Sequence, residues 1–496
     1  MQVGNYDKIL SETDQYKEKR SEYLNNSTNW IEDAIIYNII PDHFAYSWRN
    51  SDSSVDDSEE NEFLKKESDS VSIPCTIQGI IDNMDYILKL GVNCICLNPF
   101  IFDKNKKEAY DYTHINEQLG ENKDFTFLVN FCHNCNVKFI LDGLFHEYND
   151  ENYSENKEDY RYHIRMKYYL DLCQQWIIEY GVDGIKIDNT VDMNQESFLI
   201  FCEAIKKCNE NCWILINNKE DIIKENTYKE VDLIQNENTE DMLSEVRLEN
   251  NHNKNEILKH DILKHDILPE DKLNDEENKK TRQHLDIVFN HRFYSACKNF
   301  FAMNYVNADQ FSHCFNPTNI DGITDIPFPF INFLSDKSTS RFLVLCKKDL
   351  AKYKLSILYL MTSPGIPSIL YGDENPVVGD KEEDCLQTMS FDEENELFIF
   401  FKAAIFLHKK LKGLRVGDYR TLVADKESNL LVFERYTEEE CITVALNAGD
   451  KEVPLDLDIE DKMMIWNNGF GDMKMNAYGF VILREKRSIN SGYGVL

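Results

Sequence analysis

The sequence predicts a (β/α)8 TIM barrel followed by a small C-terminal antiparallel β domain. Three observations predict it. Eight apolar runs of strand length are spread between residues 34 and 371. Amphipathic stretches with helical spacing separate several of them, and from about residue 415 the pattern changes to alternation broken by turn signals. Strands that alternate with helices build a parallel sheet, and eight is the number that closes it into a barrel.

The runs are AIIYNII (34–40), VNCICLN (92–98), VKFILDG (137–143), VDGIKID (182–188), CWILIN (212–217), LDIVFN (285–290), FPFINFL (328–334) and IPSILY (366–371). Most are rich in β-branched or aromatic residues, as buried strands are. IQGIIDNMDYILKLG (77–91) and FTFLVNFCHNC (125–135) are two of the intervening helical stretches. RTLVADKESNLLVFERYTEEECITVALN reads as antiparallel strands. The expected organisation is an N-terminal extension over 1–29, the barrel over 30–414 and a C-terminal β-sandwich domain over 415–496. Two polar stretches, about 49–72 and 222–283, read as solvated insertions in the barrel. The second holds a five-residue tandem, Ile257-Leu-Lys-His-Asp and Ile262-Leu-Lys-His-Asp, too short for a solenoid.

Composition narrows the function classes. The formal charge is −34, which repels phosphate backbones and anionic membrane surfaces. No nucleic acid is therefore expected as a partner, whereas a neutral ligand is compatible with that field; solubility alone also accounts for it. No apolar run follows a basic start, so neither a signal peptide nor a membrane span is expected. Fourteen cysteines without an export signal fit a reducing cytoplasm. Cys132-His-Asn-Cys135 has no second ligand pair and is read as structural. Phosphate loops, HExxH and a clean GxGxxG are absent. Neither metal nor cofactor is expected, and the oligomeric state is not legible.

In such a barrel the site lies at the C-terminal ends of the strands. Asp142 ends the third run, with His146 and Glu147 just beyond it. Lys186 and Asp188 end the fourth, two residues apart and so on one face of the strand. Asn217 and Asn218 end the fifth, Asp336, Lys337 and Ser338 follow the seventh, and Asp373 and Glu374 follow the eighth. This is a carboxylate-bearing rim, although Asp and Asn also cap helices at such junctions.

At these residues the sequence resembles the α-amylase superfamily, glycoside hydrolase family 13, and most of all its neopullulanase- and cyclomaltodextrinase-like members. DAIIYNIIPDHF (33–44) is similar to the family's first strand, SPGIPSILYGDE (363–374) to its eighth, and GDYRTL (417–422) to the entry of its C-terminal domain. The resemblance implies cleavage or transfer of α-glucosidic bonds with retention, by a nucleophilic carboxylate and a carboxylic acid/base about 5–5.5 Å apart. It also implies a third carboxylate that supports the distorted sugar.

Carried over residue by residue, the resemblance leaves much of that machinery substituted. Gly184-Ile-Lys186-Ile-Asp188 stands for Gly-x-Arg-x-Asp, so Asp188 holds the nucleophile position and Lys186 replaces the arginine. Lysine keeps the charge and loses the bidentate fork. Asp142-Gly-Leu-Phe-His146-Glu147 keeps the first Asp of Asp-x-x-x-Asn-His. Asn217 falls where the acid/base glutamate is expected, and an amide cannot deliver a proton. Losing that help costs about 10²–10⁴-fold in rate. Arg341 sets the register after the seventh strand, so Lys337 replaces the family histidine and Ser338 the third carboxylate. Residues 101–123 are a much shortened loop subdomain, in which Tyr110-Asp111 is similar to the family's Tyr-Asp.

The substrate-binding candidates are therefore Tyr110, Asp142, His146, Lys186, Lys337 and Arg341, and the ligand class is an α-glucan or maltooligosaccharide. Two functions follow from the substitutions. One is a homologue without catalysis, or strongly impaired, that binds an α-glucan or serves a regulatory or structural role. The other is an active hydrolase or transglycosylase whose acid has moved to Glu147, Glu220 or Asp336. A third, an assembly subunit like the amylase-like heavy chains of amino-acid transporters, calls for a membrane anchor that the sequence lacks.

Overall fold

The computed structural model describes residues 30–45, 75–98, 115–116, 119–143, 158–188, 195–217, 287–314, 330–376 and 387–486. Each strand of the barrel lies inside one of the eight apolar runs. They are β1 (Ile36–Ile39), β2 (Cys94–Leu97), β3 (Lys138–Gly143), β4 (Gly184–Asp188), β5 (Trp213–Asn217), β6 (Ile287–Phe289), β7 (Phe330–Phe333) and β8 (Ile366–Leu370). Each pairs in parallel with the next, and β8 returns to β1, so the sheet closes. Closure leaves no unpaired edge, and both faces are buried.

The period of two along a strand sorts the side chains. Ile36, Cys94, Cys96, Ile140, Leu215, Ile287, Phe289, Ile331, Phe333 and Ile366 form one apolar cluster inside the barrel. Their neighbours in sequence, such as Tyr37, Ile95, Phe139, Leu141 and Ile214, belong to a second cluster beneath the surrounding helices.

Seven of those helices matter below: α1 (Met84–Leu90), α2 (Asn122–Asn134), α3 (Glu158–Cys173), α4 (Gln195–Cys208), α5 (His291–Cys297), α6 (Leu350–Thr362) and α7 (Glu396–Lys410). α3 runs on into a π-helical turn over Gln174–Glu179. Among the described residues, no helix is long and apolar enough to cross a membrane.

Gly365, just before β8, has φ +114°. A Cβ there would come within 2.6 Å of the Asn332 amide and 2.9 Å of the Phe330 carbonyl, so the close approach of β7 and β8 requires glycine.

Among the described residues six further strands follow the barrel: β9 (Asp418–Ala424), β10 (Leu430–Tyr436), β11 (Glu440–Asn447), β12 (Val453–Pro454), β13 (Met463–Gly471) and β14 (Lys474–Lys486). Hydrogen bonds join all six into one antiparallel sheet, where the sequence had led us to expect a sandwich. One face packs Phe433 and Phe480 against α6 and α7, through Tyr359 and Phe400. The other face buries Val432, Ala445, Val481 and Leu483, and Leu455, Leu457 and Ile459 cover it. That covering segment does the work a second sheet would do. Arg435 fastens the sheet to the barrel. It is buried, and its guanidinium donates to the Thr362 carbonyl at the end of α6 (2.9 Å) and to the Gly417 carbonyl (2.8 Å).

Candidate active site

The rim is built by strand parity. Ile140 and Leu215 face the barrel interior, so Asp142 and Asn217, two residues on, point inward at the C-terminal mouth. Lys186 lies opposite Asp142 in the β3–β4 register, and Asp188 lies opposite Asn217 in the β4–β5 register. The backbone therefore sets the last residue of β4 beside the last residue of β5. Tyr110, His146, Glu147, Asn218, Glu220 and the side chain of Asp188 lie outside the described residues.

On the β3–β4 side the chemistry is an ion pair. Lys186 Nζ donates to Asp142 Oδ2 at 2.9 Å, and the two side chains are 3% and 0% exposed. The ammonium also stands 4.8 Å from the centre of the Phe289 ring, a cation–π contact. Lys337 approaches the same Asp142 oxygen at 3.7 Å from the β7 side and is 27% exposed. Asp142 is thus shared by two lysines.

On the β5–β7 side the chemistry is an amide network. Asn217 Oδ1 accepts from His291 Nε2 at 2.7 Å, and its Nδ2 donates to Asp336 Oδ2 at 3.4 Å. Asn290 caps α5 by accepting from the Phe293 N–H, which delivers His291, the first residue of that helix, to the mouth. The Phe333 ring meets the His291 ring edge to face at 5.1 Å. Asp336 is held by a tight turn: its N–H donates to Thr339 Oγ1 at 2.8 Å, and its carbonyl accepts from the Thr339 N–H at 3.0 Å. Ser338 is exposed, and its N–H donates to Asp336 Oδ1 at 3.4 Å.

Sequence reasoning passed over His291. The signal was present, since Asn290-His291 follows the sixth run as the other rim residues follow theirs. Asp336 follows the seventh run two positions before Ser338, and the structure brings its carboxylate to the amide of Asn217.

Behind the rim lies a second polar layer. Arg341 is almost wholly buried, 3.1 Å from Asp373 Oδ1 and 5.1 Å from the centre of the Tyr371 ring. It braces the loops after β7 and β8 from behind. Burial raises the Asp373 carboxyl above its ordinary range, against the pull of Arg341. Burial likewise pushes Glu374 up to about 7, against the bond donated by Tyr37 at 2.5 Å. Tyr86 also reaches Glu374, at 3.4 Å, and donates weakly to the same oxygen. Among the described residues, no group of three or more His, Cys, Asp or Glu side chains is arranged to hold a metal ion.

The comparisons with known proteins agree with this architecture. The family model described as "Alpha amylase, catalytic domain" matches residues 38–169. Neopullulanase 2 of Thermoactinomyces vulgaris is 26% identical over 452 residues, covering 88% of this chain and 73% of that protein. A cyclomaltodextrinase of Geobacillus thermopakistaniensis is 24% identical over 490 residues, covering 89% and 74%. Among solved structures, an Anoxybacillus α-amylase superposes with a TM-score of 0.63 at 20% identity, over 93% of this chain and 100% of that one. The cyclic α-maltosyl-(1→6)-maltose hydrolase of Arthrobacter globiformis gives 0.64 at 19% identity, over 92% and 99%. At that identity the structures speak for the fold, and the sequence relatives carry the kinship. With the barrel, the antiparallel sheet behind it and similarity along most of its length, the chain resembles the α-amylase family, whose catalytic-domain model matches its residues 38–169.

Proposed function

We propose that this chain binds α-glucans at the mouth of its barrel and does not cleave them at the rate of an enzyme. The names of its relatives, neopullulanase and cyclomaltodextrinase, support the ligand class. One observation carries the loss of catalysis: the β4–β5 register sets Asn217 beside Asp188. A retaining glycosidase needs a proton donor at that place, across from its nucleophile. The amide has no proton to give a leaving oxygen, and its own oxygen is occupied by His291. Lys186 lies two residues before Asp188, and its ammonium is taken by Asp142.

The test uses the full-length chain with maltoheptaose and β-cyclodextrin. The expected result is no product above the blank, with a rise in melting temperature on adding maltoheptaose or acarbose. Turnover that Asp188→Asn abolishes would overturn the proposal.

A second reading rests on Asp336. Its carboxylate is 3.4 Å from the Asn217 amide, so a carboxyl does stand near the acid's place. In that reading Asp336 delivers the proton, and Asp336→Asn removes turnover as completely as Asp188→Asn does. The substituted acid position favours the first reading, because a displaced acid must still meet the leaving oxygen at hydrogen-bond distance.

A further inference from the structure

Away from the barrel mouth, helix α7 is apolar on two faces. Its inner face is buried: Phe398 meets Tyr86 of α1, Phe401 meets Tyr353 of α6, and Leu397, Ala404 and Ile405 lie beside them. On the opposite side Ile399 and Phe406 are 56% and 57% exposed, and Ala403 between them is half-buried. Steps of four and seven residues align these three as one stripe along the helix. A single apolar residue on a surface needs no explanation, whereas a stripe on a helix that already buries its other face is a second packing surface.

Charge divides the same helix from end to end. Glu393, Glu394 and Glu396 are exposed at or just before its start, and Lys409, Lys410 and Lys412 at or just after its close. Lys354 of α6 reaches Glu396 and still leaves that side chain 64% exposed. Lys410 lies over the Phe406 ring, 5.5 Å from its centre, and Lys402 over the Phe398 ring at 5.9 Å. The net charge of −34 makes two copies of the chain repel overall, so a contact between them needs opposite charge locally. An occupant that fits the stripe is apolar along its middle, with its basic end against the glutamates and its acidic end against the lysines. α7 itself, turned end for end, has that pattern.

We infer that α7 pairs antiparallel with α7 of a second copy of this chain, about a two-fold axis level with Ala403. Glu396 and Lys410 stand equally far from Ala403, on either side of it. The axis therefore sets each Glu396 beside Lys410 of the other copy and each Ile399 against Phe406, and every contact is made twice. Parallel pairing would instead set acid on acid and lysine on lysine, so the charges fix the direction. The helix has 15 residues, a length of about 22 Å. One such face is smaller than the roughly 800 Å² that a stable dimer buries per partner, so the pairing is weak and protein concentration governs it.

The test is analytical ultracentrifugation of the full-length chain at concentrations up to about 0.5 mM. The expected mass rises with concentration from 58.3 kDa toward twice that value. Phe406→Asp, at an exposed position, should stay monomeric throughout. Glu396→Lys and Lys410→Glu should each weaken the dimer about tenfold or more, because each sets like charges together twice. An equimolar mixture of those two variants should associate as the wild type does, and so should the chain that carries both exchanges. Should Glu396→Lys fail to fold beside Lys354, Phe406→Asp and Lys410→Glu still decide. A wild type that keeps the monomer mass at every concentration, a dimer that survives Phe406→Asp, or a mixture no stronger than its two components would overturn the inference.

Discussion

Lys186 Nζ sits 2.9 Å from Asp142 Oδ2 inside the barrel mouth, with both side chains almost wholly removed from water. A buried pair of this kind adds little net stability while intact, because desolvation offsets attraction, but breaking it from one side is costly. The two sides are unequal here. Asp142→Ala would remove the one carboxylate that the Lys186 and Lys337 ammonium groups share. That should cost about 3–5 kcal/mol. Lys186→Met leaves Asp142 with Lys337 at 3.7 Å and should cost clearly less. Urea unfolding of the two variants checks the order; equal losses would mean that Lys337 does not share the charge.

Asn217→Glu tests the proposed function from the constructive side. A glutamate at the end of β5 would stand close to Asp336, and two carboxylates so placed raise the pKa of one of them. A general acid needs that shift to keep its proton near neutral pH. Asn217→Glu combined with Ser338→Asp should therefore release products from maltoheptaose at a rate about 10²–10⁴-fold above the wild type. The release of reducing ends measures it. A wild type already as fast as the double variant would mean that Asn217 is no impediment.

Glu374 predicts a pH dependence of stability opposite in sign to that of the usual carboxylate. Burial raises its folded pKa from 4.5 to about 7. Between those values the unfolded chain has lost this proton and the folded chain keeps it, so raising the pH through the window favours unfolding. The contribution is present below about 4.5 and is lost as pH rises through about 7, a loss of roughly 3 kcal/mol. Glu374→Gln keeps an acceptor for Tyr37 and removes the titration. Relative to the wild type, it should gain in unfolding midpoint from pH 5 to pH 8, and parallel profiles would refute the assignment. Asp373 is raised in the same direction by burial and titrates in both proteins.

The eight strands were legible because each is a short apolar run buried on both faces, and such runs show in sequence whatever their partners. The rim was legible as positions, because the period of two carries Ile140 to Asp142 and Leu215 to Asn217 along the same face. Its pairings were not. His291 meets Asn217 across 74 residues and Asp336 meets it across 119, distances over which no local pattern extends. Arg341 shows the same limit: its place in the chain suggested a contact with ligand, and only the packed fold reveals Asp373 and Tyr371 around it. The C-terminal alternation likewise gave strands without saying that one sheet would hold them all.

Asp183 supplies a prediction for the opposite end of the barrel, where the sequence offers only a lone carboxylate before a glycine. It precedes β4, and its oxygens accept from Lys138 Nζ at 2.9 Å, His133 Nε2 at 2.8 Å and the Phe139 N–H at 2.9 Å. Lys138 in turn lies 5.5 Å from the centre of the Trp30 ring. The cluster joins α2, β3 and β4 at the face of the barrel that serves stability rather than chemistry. Burial opposes the charge on Asp183, yet His133 and Lys138 hold its carboxyl below the ordinary range. This is the usual sign: the stabilisation is present above the unfolded pKa near 3.8 and fades as pH falls through the lower folded value. Asp183→Asn keeps the shape and removes the charge that the buried Lys138 ammonium meets at 2.9 Å. The expected cost at pH 7 is about 3–5 kcal/mol, shrinking in acid as the wild type loses the same charge. Binding of maltoheptaose to the folded variant should be unchanged, because the cluster lies at the other end of β4 from Asp188. A variant as stable as the wild type, or one that folds and no longer binds the sugar, would show that the two ends of the strand are not separable in this way.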